Sequence, residues 1–177
     1  LLDEDMMMRE WADQAFGTKG VWLQAVLFSA LQAGTMDRVD YCEALVQLAA
    51  HRHGHVFTGS QVLLSVFEHD MSTELVKLEA VCNYVGIPNA DHVSLIESVA
   101  KFINAIWTDA SPADVRIKGA TNLVLRASLF REGPKVDAAR TQALAKKLGD
   151  APRTYFASWL SEVADTTRSR DTDGGVS

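Results

Sequence analysis

Asp3-Glu4-Asp5 places three carboxylates in a row directly behind Leu1-Leu2. Adjacent like charges repel unless a positive group stands near them, and hard divalent cations such as Mg2+ or Mn2+ are held through carboxylate oxygens. An ion held this way can position and activate water for attack on a phosphodiester. A simpler role is open to the same residues, because acidic side chains at a helix N-terminus are stabilised by the helix dipole without any metal. The second candidate is His51-x-His53-x-His55, with His69 and His92 elsewhere. Imidazole suits transition metals such as Zn2+. However, positions i and i+2 of a helix face apart, Gly54 interrupts the run, and no Cys-x-x-Cys or His-Glu-x-x-His accompanies it. A histidine-rich helix terminus favoured by the dipole is the better reading of these residues. Cys42 and Cys82 each sit within an apolar helical pattern and read as reduced core thiols. No Gly-x-Ser-x-Gly elbow is present, and the stretch Gly54–Ser60 lacks the Gly-Lys-Ser/Thr ending of a phosphate loop.

The elements that would position these groups are helical throughout, with a 3.6-residue apolar period in almost every segment. About nine helices are expected. The first covers residues 4–15 and stops at Gly17. Residues 21–33, VWLQAVLFSALQA, are apolar nearly all round, which predicts a central helix covered on all sides, closed by Gly34. Asp37 is the expected N-cap of the next helix, whose stripe is Cys42, Leu45, Val46 and Ala49. A short extended piece is expected near 55–58. Ser60 then opens a helix through Val62, Leu63, Val66 and Phe67, and Ser72 caps one with Leu75, Leu78, Cys82 and Val85 in line. The strongest pattern runs from Asp91 to Trp107, with Ile96, Val99, Ala100, Ile103 and Trp107 on one face. Ser111-Pro112 reads as a capped restart, followed by a stripe of Ala120, Leu123, Val124, Ala127 and Phe130. Two last helices cover about 135–148 and 153–164. The fold class is all-α, an irregular bundle, with the four tryptophans as packing anchors.

The segment LLDEDMMMREWADQAFGTKGVWLQAVLFSALQAG, followed by DRVDYCEALVQLAAHRHGHV, resembles the C-terminal half of a PIN-like nuclease domain of the bacterial kind found in large multidomain proteins. In that family a late, short apolar strand delivers one or two acidic residues, a helix with a following Arg comes next, and a helical subdomain closes the unit. The resemblance implies that Leu1-Leu2 ends the strand and that Arg9 is the following basic residue. It implies catalytic roles for Asp3 and Asp5, and Mg2+ or Mn2+ held by Asp3, Glu4 and Asp5. The family shows a pair of carboxylates, so which of the three correspond stays open. The family's first carboxylate lies on an opening strand that these residues do not include. An upstream domain of the same chain is therefore the first partner implied, and the chain alone is expected to be inactive. On this reading residues 1–60 are the helical end of the nuclease domain, 61–165 a helical extension, and 166–177 a disordered tail or linker. The competing reading is a non-catalytic helical scaffold or regulatory interaction module.

Composition bounds both readings. The 177 residues are 47% hydrophobic and 23% charged, ample for a core. No apolar run is long enough to span a bilayer, and no leader pattern is visible, so a cytoplasmic protein without membrane contact is expected. The net charge of −6 argues against a generic nucleic-acid binder. Yet the charge is uneven. Residues 1–111 hold 6 Lys/Arg against 15 Asp/Glu, residues 112–153 hold 9 against 4, and the remainder 2 against 4. The basic segment 112–153 is thus a candidate contact for nucleic acid, although Lys146 and Lys147 at a helix C-terminus also complement its dipole.

Overall fold

The computed structural model describes residues 14, 23–51, 59–70, 74–83, 85, 92–108, 111, 114–130 and 136–173. Among them are eight helices and no strand, so the chain is all-α. The expected helix over 4–15, apart from Gln14, and the expected extended piece at 55–58 lie outside the described residues. The helices are α1 (Leu23–Gln32), α2 (Arg38–Ala50), α3 (Ser60–His69), α4 (Val76–Cys82), α5 (His92–Trp107), α6 (Val115–Leu129), α7 (Ala138–Lys147) and α8 (Asp150–Asp173). They fall into two compact units, Leu1–Val85 and Gly86–Ser177.

In the first unit α2 is the hub, packing against α1, α3 and α4, while α3 and α4 also pack on each other. Its core is Cys42, Leu45, Val46 and Ala49, as the periodicity predicts, with Tyr41 added, and Leu63, Val66, Leu78, Val81 and Cys82 opposite. Asp37 caps α2 as expected, its carboxylate accepting the Asp40 backbone N–H at 2.8 Å. Gly34 closes α1 in the left-handed region at φ 70°. There the Thr35 N–H reaches back to the Ala30 carbonyl at 3.0 Å and the Gly34 N–H to that of Leu31 at 3.1 Å. This pair of bonds is the Schellman arrangement, which satisfies carbonyls the helix itself leaves over.

The expectation of a central helix over 21–33 is corrected. No residue of α1 is buried, and Val26 and Phe28 are 44% and 47% exposed. Among the described helices α2 is the neighbour that α1 packs against, through Tyr41 and Phe28 with ring centroids 6.2 Å apart. The apolar content of a helix sets what it could bury, not what its neighbours cover.

The central position belongs to α5 in the second unit, which packs against α6, α7 and α8. It buries all five residues of the expected stripe, together with Leu95, Phe102 and Ile106. The restart at Ser111-Pro112 is also corrected: α6 begins at Val115, and Asp114 caps it by accepting from Arg116 N at 2.9 Å and Ile117 N at 3.1 Å. The buried stripe of α6 contains Ala120 and Val124 as expected. It is turned toward Thr121, Leu125, Ser128 and Leu129 and leaves Leu123, Ala127 and Phe130 half-buried. A hydroxyl can take an inward position when it bonds to the preceding turn. Thr121 does so to the Ile117 carbonyl at 2.8 Å and Ser128 to that of Val124 at 2.8 Å.

Helix α8 continues to Asp173, past the expected end near 164, so residues 166–173 of the expected tail have helical backbone. Neither Gly nor Pro occurs between Pro152 and Gly174, and extending an existing helix is far cheaper than nucleating one. No helix of the described residues is long and apolar enough to cross a membrane.

Candidate functional site

Asp3, Glu4, Asp5 and Arg9 lie outside the described residues, as do His53 and His55. His51 is the C-cap of α2, its backbone N–H donating to the Gln47 carbonyl at 3.0 Å. His69 closes α3, where its Nδ1–H donates to the Ser65 carbonyl at 2.7 Å. Backbone of His92 opens α5. No group of three or more His, Cys, Asp or Glu side chains that could hold a metal ion occurs among the described residues.

One buried carboxylate of the first unit is engaged in holding backbone. Asp70, 1% exposed, accepts the backbone N–H groups of Lys77 at 2.8 Å and Leu78 at 3.0 Å. It thereby caps α4 across the turn, because the N-cap position itself is Leu75, which has no acceptor in its side chain. Leu75 is buried and takes a left-handed conformation at φ 54°, a costly state for a residue with a branched side chain. The expected cap Ser72 lies outside the described residues. A Lys77–Glu43 ion pair ties α4 to α2 at the surface. The two thiols are buried: desolvation pushes Cys82 up to about 12 and raises Cys42, the latter against a hydrogen bond with Ser65. Thiols so raised stay protonated near neutral pH and are poor nucleophiles.

In the second unit the same commitment appears in the basic segment. Arg140 is buried, donating to the Ser128 carbonyl at 3.1 Å, with Asp137 Oδ2 3.3 Å from its Nε. Lys147 Nζ reaches Glu97 Oε1 at 3.2 Å, joining α7 to α5. Arg153 donates to the carbonyls of Ala145 and Leu148 at the end of α7. Beside them Asn104 spans the α7–α8 junction: its Nδ2–H donates to the Lys147 carbonyl and its Oδ1 accepts Gly149 N–H, both at 2.9 Å. Arg116, Arg126 and Lys146 are exposed, with Lys118 half-buried. Trp107 serves as an anchor, its Nε1–H donating to Thr121 Oγ1 at 3.0 Å and its ring 5.2 Å from that of Tyr155. Trp159 packs edge-on to Phe130.

These arrangements support structure: caps, a helix-junction clasp and satisfied buried hydroxyls. Sequence reasoning missed Asp70 and Asn104, whose partners are seven or more positions away and follow no local motif. Compared with known protein families, curated proteins and solved structures, the chain matches none.

Proposed function

We propose that the described helices are a scaffold without chemistry of their own, and that any chemistry of this chain sits at Asp3, Glu4 and Asp5 in the manner of a PIN-like nuclease. What supports the first half is the use of the buried polar groups: Asp70, Thr121, Ser128 and Arg140 each bond to backbone or to a core side chain. What supports the second half is the carboxylate run behind Leu1-Leu2 with Arg9 following, and the donor chemistry of such a run suits Mg2+ or Mn2+. In the complete protein the ion would activate water against an RNA or DNA phosphodiester. The test is a calorimetric Mn2+ titration of the chain and of its Asp3→Asn, Asp5→Asn variant. Binding to the parent that weakens at least tenfold in the variant is the expected result. Equal, negligible binding in both would leave the acidic run as a helix cap and the scaffold alone. Binding that survives the double substitution would locate metal chemistry elsewhere and overturn the division.

The excess of basic residues over 112–153 supports a second, separate reading: a nucleic-acid contact carried by Arg116, Lys118, Arg126 and Lys146. Phosphate contacts weaken steeply with salt. Association with single-stranded RNA that is absent at low salt, or indifferent to salt, would remove this reading.

A further inference from the structure

We draw no further inference here: the strongest candidate, the apolar surface of α1 around Val26, is exposed among the described residues with nothing in the structure to show what covers it.

Discussion

Asp70 is a carboxylate taken almost wholly out of water and held by two backbone amides of the helix that follows it. Removing the carboxylate leaves two donors at a helix start without this acceptor, a loss of about 1–3 kcal/mol. Asp70→Ala should therefore lower the unfolding free energy read from urea titration by that amount, and Asp70→Asn, which keeps an acceptor oxygen, by less. An alanine variant as stable as the parent would mean that the amides find equivalent partners. Cys82 gives a prediction with a defined pH window. Its folded pKa of about 12 exceeds the ordinary 9.0, so above pH 9 the unfolded thiol ionises while the folded one does not. The unfolded state then binds fewer protons, and stability falls as pH rises from 9 toward 12, on the order of 4 kcal/mol across the full window. Below pH 9 both states keep the proton and the thiol adds no slope. Cys42 and Tyr155 are raised as well and act in the same direction. Denaturant titrations between pH 9 and 11 should show a shallower alkaline loss for Cys82→Ala than for the parent; identical slopes would refute the assignment.

At the scale of elements, what the sequence reveals depends on how far apart the partners are. Asp37 and Gly34 were legible because a cap and its amides, or a helix end and its left-handed residue, lie within one turn. Gly34→Ala should cost about 1 kcal/mol, entirely from the positive φ, since a Cβ there meets nothing within 4 Å. A thermal melt of the variant checks this, and an unchanged midpoint would mean that the α1 terminus frays before the core unfolds. The stripes of α2 and α5 were legible for the same local reason. The phase of α6 was not, because Thr121 and Ser128 count as polar in a pattern while their hydroxyls are satisfied by their own helix. Nor was the exposure of α1, since apolar content records what a helix could bury and not how many neighbours it has. It follows that Val26→Lys should change the stability of the first unit by no more than about 0.5 kcal/mol. Leu45→Ala, in a fully buried position of α2, should cost about 2–5 kcal/mol. The candidate site was legible only as composition: a carboxylate run states which ion would suit it, while the geometry that would test it rests on residues 3–5, outside those described.

For the molecule as a whole, the division after Val85 assigns each unit its own core. In the second unit Ile96, Val99, Phe102 and Ile103 of α5 are buried with Val124 and Leu125 of α6, Leu144 of α7, and Phe156 and Trp159 of α8. Every one of these comes from residues 86–177, as do the Asn104 clasp, the Glu97–Lys147 pair and the Trp107–Thr121 bond that fix how the helices meet. A segment that supplies its own core, caps and junctions meets the conditions for folding as a domain. Expressed separately, residues 86–177 should give a helical far-ultraviolet spectrum and one cooperative denaturant transition. Asn104→Ala in that fragment should lower its unfolding free energy by about 0.5–1.5 kcal/mol, since the Lys147 carbonyl and the Gly149 amide exchange a protein partner for water there. Helical signal without a cooperative transition would show that secondary structure forms but the packing around α5 requires residues before Gly86. A cooperative fragment insensitive to Asn104 would keep the domain and reject the clasp, so the two statements stand or fall separately.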